Sequence, residues 1–156
     1  MGSVRRDIKI HRSADDVWAV VGDPRILDTW FPGIVECKVD GNVRVITSAT
    51  GLPIPEEIVT IDEIDRRFQY RITAGFITNH LATIDVFALD AENSLVVYST
   101  NCEPDVMALI IGGSTGAALH ELRRQLELGT ETSTPSGPSD TAPSAAAAAP
   151  TEQGAV

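Results

Sequence analysis

Hydrophobic and polar residues alternate along seven stretches of the chain, a period typical of β-strands with one buried face. Short polar segments such as Asp40-Gly41-Asn42 and Asp90-Ala91-Glu92-Asn93 separate neighbouring stretches. Links of this length and composition favour antiparallel hairpins. The predicted strands cover residues 4–10, 34–40, 43–49, 56–64, 67–74, 79–89 and 95–103.

Two short helices are predicted between the first and second strands. Ser13 and Asp16 have the spacing of a capping box, in which side chains satisfy free backbone groups at a helix start. Asp23-Pro24 then begins a second helix, because aspartate caps well and proline suits the first helical position. Pro32-Gly33 ends it.

A long helix is predicted over residues 105–128, after Pro104 and before Gly129. The order of elements indicates an α+β fold, because a curved antiparallel sheet of seven strands needs a helix to cover its concave face. The helical spacing places Ile110, Ile111, Ser114, Ala118 and Leu122 on the inward side.

The middle of this helix is rich in glycine, serine and alanine, over residues 112–118. Interior glycines cost about 1 kcal/mol each relative to alanine, so they require an explanation. One explanation is close packing of the helix against the sheet. The other, which we favour from the sequence, is that small side chains leave a cavity for a ligand.

The chain of 156 residues is long enough for one domain, which we assign to residues 1–130. Residues 131–156 consist mainly of Pro, Ser, Thr, Ala and Gly, and Val156 is their only large apolar residue. Such a segment buries too little surface to offset its loss of conformational entropy on ordering. We therefore predict a disordered tail.

The formal net charge is −10, and the acids of the tail account for three of these charges, which leaves −7 for the domain. This balance argues against nucleic acid as a partner, since nucleic-acid binders present basic surfaces. It also disfavours anionic membranes. With neither a signal sequence nor an apolar run of membrane-spanning length, we expect a cytoplasmic protein without membrane insertion.

No metal or cofactor is expected. His11, His80 and His120 fall on three separate elements without metal-ligand spacing. Cys37 and Cys102 are 65 positions apart and form no C-x-x-C motif, so we expect both to be reduced. The sequence also lacks the P-loop, the dinucleotide-binding fingerprint and the nucleophile elbow.

Several short motifs lie at the junctions of these elements: Ser13-Ala-Asp-Asp-Val-Trp18, Asp23-Pro24, Asp28-Thr-Trp30, Tyr70-Arg-Ile72, Cys102-Glu-Pro104 and Leu119-His-Glu-Leu122. Together with the element order, they resemble the START-like, or SRPBCC, superfamily over about residues 3–128. The resemblance implies the helix-grip fold of polyketide cyclase/dehydrase-type proteins and lipid-transfer domains, in which a long C-terminal helix closes a cavity. It does not by itself define a function.

Gly51-Leu52-Pro53 resembles the gate loop of plant abscisic-acid receptors, which belong to the same superfamily. The resemblance implies that Leu52 and Ile54, each followed by a proline, close the mouth of a cavity. Asn79-His80 takes the place of an Asn-Tyr pair in those receptors. Phe31 stands where the receptors carry the lysine that binds the ligand carboxylate, so the resemblance does not extend to an acidic ligand.

Strand alternation and the resemblance together predict the cavity lining. His80, Ala82 and Ile84 share one strand face, and strand 56–64 offers Glu57, Val59 and Ile61. In strand 95–103 we assign Ser99 inward, although Tyr98 and Cys102 on the opposite face are an alternative. The predicted ligand-binding residues are Phe31, Leu52, Pro53, Ile54, Glu57, Val59, Tyr70, Ile72, Phe76, His80, Ala82, Ile84, Ser99, Ile110, Ser114 and Ala118.

This lining, apolar with a few polar points, is the usual composition of a small-molecule site. The main hypothesis is a carrier or sensor of a hydrophobic small molecule, acting as a monomer or homodimer. The alternative is a polyketide cyclase/dehydrase-like enzyme in which His80 transfers protons together with Glu57 or Tyr70. A third hypothesis is an interaction module whose apolar loops bind a protein partner.

Overall fold

The computed structural model describes residues 1–73, 75 and 77–128. The predicted tail, residues 131–156, and the predicted ligand contact Phe76 lie outside the described residues. The domain boundary at residue 130 therefore stays a prediction.

In the described residues, seven antiparallel strands form one curved sheet in the order β1-β7-β6-β5-β4-β3-β2, and a long helix covers its concave face. This arrangement confirms the predicted α+β helix-grip architecture. The elements are β1 (Gly2–Ile10), α1 (Ala14–Val21), a 3-10 turn (Pro24–Ile26), α2 (Leu27–Trp30), β2 (Ile34–Asp40), β3 (Val43–Ser48), β4 (Pro53–Asp62), β5 (Arg67–Ile72), β6 (Asn79–Ala88), β7 (Ser94–Glu103) and α3 (Asp105–Leu128).

The helix starts follow from the predicted caps. The Ser13 hydroxyl accepts a hydrogen bond of 3.1 Å from the Asp16 amide at the start of α1. Asp23 caps the next segment by accepting from the Arg25 amide at 2.9 Å. That segment is a 3-10 turn followed by the single-turn α2, rather than the continuous helix that the sequence predicted. Leu27, at the start of α2, and Phe31, directly after it, lie beside α3 and the sheet.

The hydrophobic core fills the space between the sheet and the second half of α3. The inner face of β6 pairs with that of β7 through Ala82 and Thr100, Ile84 and Tyr98, and Val86 and Val96, which are all buried. The parity that we assigned to β7 was therefore wrong. Ser99 pairs with Arg5 and Thr83 on the outer face, because its neighbours Tyr98 and Thr100 point inward.

The predicted orientation of β4 was also wrong. Glu56 is the fully buried residue of β4, and Ile54 and Ile58 share its face. Val59 is exposed, and Glu57 pairs across the outer face with Arg71. A bulge between Ile58 and Thr60 then brings Ile61 into register with the buried Phe68. Alternation misled because a charged side chain occupies an inner position of this strand.

Close helix–sheet packing, the explanation that we did not favour, accounts for Gly112. A Cβ atom at Gly112 would lie 2.5 Å from a methyl carbon of Val4 in β1, so only glycine lets α3 approach β1 this closely. Ala118, predicted to border the cavity, is fully buried in the core between α3 and the sheet. Large side chains are therefore absent at these two positions because the neighbouring elements occupy the space.

Gly112 and its neighbour Gly113 provide a matched test of this packing. We expect Gly112→Ala to lower the free energy of unfolding by about 1–3 kcal/mol, because the added methyl group collides with Val4. Gly113→Ala should raise it by about 0.5–1 kcal/mol, since a Cβ atom there meets nothing within 4 Å and alanine favours the helix. Urea unfolding measures both, and equal effects would contradict the packing explanation.

Candidate functional site

A cavity of about 420 Å³ lies between the first half of α3 and the concave face of the sheet. Its size is within the range of small-molecule sites. Most of its walls are apolar, and Glu56, Tyr70 and Ser114 are the side chains in the wall that carry polar groups. The lining residues are Leu27, Phe31, Ile34, Ile46, Leu52, Pro53, Ile54, Glu56, Tyr70, Ile72, Gly75, Ile77, Met107, Ile110, Ile111 and Ser114.

Leu52 and Ile110 mark the mouth of the cavity. Both belong to its lining, yet Leu52 is 60% exposed and Ile110 is 57% exposed. Leu52 comes from the β3–β4 turn, whereas Ile110 comes from α3. An apolar side chain held half in water at a cavity entrance can contact a ligand without first giving up core contacts.

The predicted likeness to a hormone-receptor gate is not confirmed. Pro53, Ile54 and Pro55 belong to β4, where they pair with Thr47, Ile46 and Val45 of β3. The connection that remains, residues 49–52, is a tight turn. In it the Ser48 amide donates to the Leu52 carbonyl at 3.0 Å, and the Leu52 amide donates to the Ser48 hydroxyl at 3.1 Å. Leu52 therefore lies at the mouth on a hydrogen-bonded hairpin end.

A buried ion pair adjoins the cavity, and Glu56 is its member in the lining. The Arg44 guanidinium donates from Nε to Glu56 Oε2 at 2.6 Å, and the two side chains are 1% and 2% exposed. The guanidinium carbon also lies 4.8 Å from the ring centre of Tyr70 and 5.2 Å from that of Phe68, within the range of cation–π contacts. Glu56 and Tyr70 are the members of this polar cluster that line the cavity.

Burial governs the ionisation of this cluster. It raises the pKa of the Glu56 carboxyl, and the neighbouring Arg44 opposes that rise. Burial also raises the pKa values of the Tyr70 and Tyr98 hydroxyls, which share a hydrogen bond of 2.6 Å. Both tyrosines are therefore neutral near pH 7, and the charges in the cluster are the opposed pair on Arg44 and Glu56.

Arg44 and Glu56 were not predicted as site residues, although their opposite charges on neighbouring strands are visible in the sequence. Both residues lie six positions from Thr50, which belongs to the β3–β4 turn of the structure, so a hairpin with this turn places them opposite each other. Opposite charges at mirror positions of a hairpin favour a cross-strand pair. Val43 and Val45 alternate with polar neighbours, and this pattern favours burial of the strand face opposite to Arg44.

His80 lies next to the cavity but outside its lining. Its Nδ1 atom accepts a hydrogen bond of 3.0 Å from the Ile72 amide, so the neutral ring carries its proton on Nε2. The ring centre is 5.6 Å from that of Tyr70. Burial lowers the pKa of His80 to about 4, so the ring is neutral at pH 7.

The predicted proton-transfer pair of His80 and Glu57 is wrong. Glu57 lies on the outer face of the sheet and is 40% exposed, with its carboxylate 3.4 Å from the Arg71 guanidinium. His80 shares the inner face with the buried Cys102. The sheet therefore separates the two side chains. Tyr70, the other predicted partner of His80, does line the cavity, but its hydroxyl is bonded to Tyr98.

The remaining predicted residues divide between the cavity and other parts of the fold. The core, at the closed end of the sheet, contains Ala82, Ile84 and Ala118. Val59 lies at the bulge of β4 and is 40% exposed, and Ser99 is directed to the outer face. The predicted residues that the cavity brings together are Phe31, Leu52, Pro53, Ile54, Tyr70, Ile72, Ile110 and Ser114.

In residues 1–73, 75 and 77–128, no cluster of His, Cys, Asp or Glu could hold a metal ion. Within the same residues, no helix has the length and apolar character to cross a membrane.

Comparison with protein families gives a match over residues 1–127 to the family described as polyketide cyclase / dehydrase and lipid transport. The chain belongs to this family. The resemblance to the SRPBCC superfamily is thereby confirmed. A search of curated protein sequences gives no significant match.

Solved structures of other proteins share the family's fold. The protein XoxI from Bacillus cereus is 27% identical with a TM-score of 0.77, and the match covers 83% of this chain and 99% of that one. Norcoclaurine synthase from Thalictrum flavum, solved with dopamine and hydroxybenzaldehyde, is 19% identical with a TM-score of 0.66, covering 81% and 86%. The di-domain ARO/CYC protein BexL of the BE-7585A biosynthetic pathway is 17% identical with a TM-score of 0.72, covering 83% and 48%.

The buried His80 ring predicts a pH dependence of stability. Because its pKa falls from 6.5 to about 4 on folding, the unfolded chain binds more protons between these values. The contribution of neutral His80 to the free energy of unfolding should be fully present above pH 6.5 and should be lost as the pH falls towards 4. We expect a loss of about 2 kcal/mol, after allowing for solvent screening of a partly buried ring.

His80→Asn keeps an acceptor for the Ile72 amide and removes the titration. The difference in unfolding free energy between wild type and this variant should shrink or reverse as the pH falls, as measured by urea unfolding from pH 7 to pH 4. His120→Asn, at an exposed position of α3, is the control and should follow the wild-type curve. Parallel curves for wild type and His80→Asn would contradict the assignment.

Proposed function

We propose that this protein binds a hydrophobic small molecule in the cavity between α3 and β2–β5, as a carrier or sensor. The observation that carries the proposal is the mostly apolar lining of this cavity of about 420 Å³, in which Glu56, Tyr70 and Ser114 carry the polar groups. A cavity with such walls favours a ligand that brings apolar surface out of water.

The exposed residues at the mouth support the same function. Leu52 and Ile110 expose apolar surface next to the entrance, where a ligand would cover it. A protein partner that covers this surface, as in the interaction-module hypothesis, would not require the cavity behind it. The presence of both features favours small-molecule binding.

The enzymatic alternative is a cyclase/dehydrase-like activity, which the family description includes. Such chemistry needs one group that takes a proton and another that polarises an oxygen atom. With Glu57 on the outer face and His80 outside the lining, the polar side chains in reach of a bound molecule are Glu56, Tyr70 and Ser114. The Arg44 guanidinium opposes protonation of Glu56, and the Tyr70 hydroxyl is bonded to Tyr98. Binding is therefore the function that we place first.

Two adjacent positions on α3 test the proposal. Ile110 and Leu109 are 57% and 66% exposed, and only Ile110 belongs to the cavity lining. We expect Ile110→Asp to weaken binding of the neutral fluorescent probe N-phenyl-1-naphthylamine at least tenfold, because it places a charge at an apolar entrance. Leu109→Asp introduces the same charge one residue away and should bind within about twofold of wild type.

Fluorescence titration gives the dissociation constants, and thermal melting checks that both variants fold. Absence of probe binding to the wild-type protein would contradict the proposal. So would an equal loss in the two variants, because binding would then depend on general surface hydrophobicity. Native mass spectrometry of protein purified from its own host would identify a bound compound directly.

A further inference from the structure

The buried ion pair, in which Glu56 lines the cavity, differs from four more exposed arginine pairs of the same protein. Arg25, Arg66, Arg67 and Arg124 each donate to a carboxylate through both Nε and Nη2. Among the described residues, Arg44 bonds to Glu56 through Nε alone, and its Nη2 atom is buried without a hydrogen-bond partner. Unlike those four pairs, the least exposed pair therefore lacks its second hydrogen bond.

The carboxylate of this pair is equally incomplete. Within the described part of the chain, Glu56 accepts the hydrogen bond from Arg44 on Oε2, and Oε1 accepts none. The Arg44 Nη2 donor is costly without a partner, because it is buried and has no water to replace the missing bond. Glu56 belongs to the cavity lining, so a bound molecule can supply the partner that the protein does not.

Other polar groups of the cavity have partners within the protein. The Tyr70 hydroxyl bonds to Tyr98 at 2.6 Å, and the Ser114 hydroxyl donates to the Ile110 carbonyl at 3.4 Å. Among the lining carboxylate and hydroxyl oxygens, Glu56 Oε1 is the one that takes part in no hydrogen bond within the described residues. This oxygen therefore offers a position for the polar group of a ligand.

The charges select among polar groups. Arg44 and Glu56 neutralise each other, so a neutral ligand leaves the buried site neutral. A ligand carboxylate would lie against Glu56 and repel it, whereas an ammonium group would add an uncompensated buried charge. A ketone or ether accepts hydrogen bonds but donates none to Oε1. A hydroxyl group donates one bond and accepts another, and it is neutral.

We propose that the ligand of this cavity has an apolar body ending in a neutral hydroxyl group, which donates to Glu56 Oε1 and accepts from Arg44 Nη2. This inference rests on the proposed function, since it assigns a chemical class to the molecule bound in the same cavity. Arg44 then has two roles: it holds the Glu56 carboxylate in place and provides the donor for the hydroxyl oxygen.

Three naphthalenes that share one apolar body test the inference at pH 7. 2-Naphthol has a hydroxyl group, 2-methoxynaphthalene has the same oxygen without its proton, and 2-naphthoate is an anion. We expect the wild-type protein to bind 2-naphthol at least tenfold more tightly than 2-methoxynaphthalene, because the ether leaves Oε1 without a donor. Binding of 2-naphthoate should be the weakest. Isothermal titration calorimetry measures all three.

The double variant Arg44→Met/Glu56→Leu replaces the pair by apolar side chains, a change that buried ion pairs often tolerate without loss of stability. It should bind 2-methoxynaphthalene at least as well as the wild type does, and its preference for 2-naphthol should fall to within about twofold. Arg67→Met/Asp85→Leu removes another cross-strand pair, which has bidentate geometry and lies outside the cavity lining. This control should keep the full preference.

Equal wild-type affinities for 2-naphthol and 2-methoxynaphthalene would overturn the inference while leaving the proposed function intact. A preference that persists in the Arg44→Met/Glu56→Leu variant would also overturn it, because the hydroxyl would then bind elsewhere. Failure of the wild-type protein to bind any of the naphthalenes and N-phenyl-1-naphthylamine would overturn both proposals. If the double variant melts far below the wild type, Glu56→Gln, which removes the charge but keeps the shape, provides the comparison.

Discussion

The ion pair between Arg44 and Glu56 determines how one side of the sheet is built. Cross-strand pairing of these residues sets the β3–β4 register, and their inward direction sets which side chains of both strands face α3. A shift of one residue would place Val43 and Val45 inside and both charges outside. Apolar residues at the two positions would avoid the desolvation cost of buried charges. The pair is therefore better explained by what it does in the cavity than by stability.

Elements with strong local signals could be predicted from the sequence. Turn residues and alternation gave the seven strands, and the Ser13 and Asp23 caps gave the helix starts, because these features depend on neighbouring residues in the chain. Strand orientation was less predictable. In β4 a buried glutamate reversed the hydrophobic pattern, and in β7 both faces carry apolar residues, so alternation alone could not choose between them.

The site was predictable near its mouth and not at its polar end. Leu52, Ile54 and Ile110 are apolar residues at unusual positions, so each was visible in the sequence. The role of Glu56 as a buried carboxylate in the cavity wall depends on its pairing with Arg44 on the neighbouring strand. The glycines of α3 show the same limit, since the contact between Gly112 and Val4 depends on how two distant segments pack. Pairwise tertiary contacts of this kind are absent from local sequence patterns.

The helix α3 separates two tasks along its length. Its second half supplies Leu119 and Leu122 to the core, while its first half offers Met107, Ile110 and Ile111 to the cavity. The α3 residues that line the cavity thus differ from the α3 residues of the hydrophobic core. Substitutions in the first turns can alter specificity without the usual conflict between stability and activity. Because these two groups of α3 residues are separate, the ligand specificity of the protein can change during evolution while the core contacts of the helix are kept.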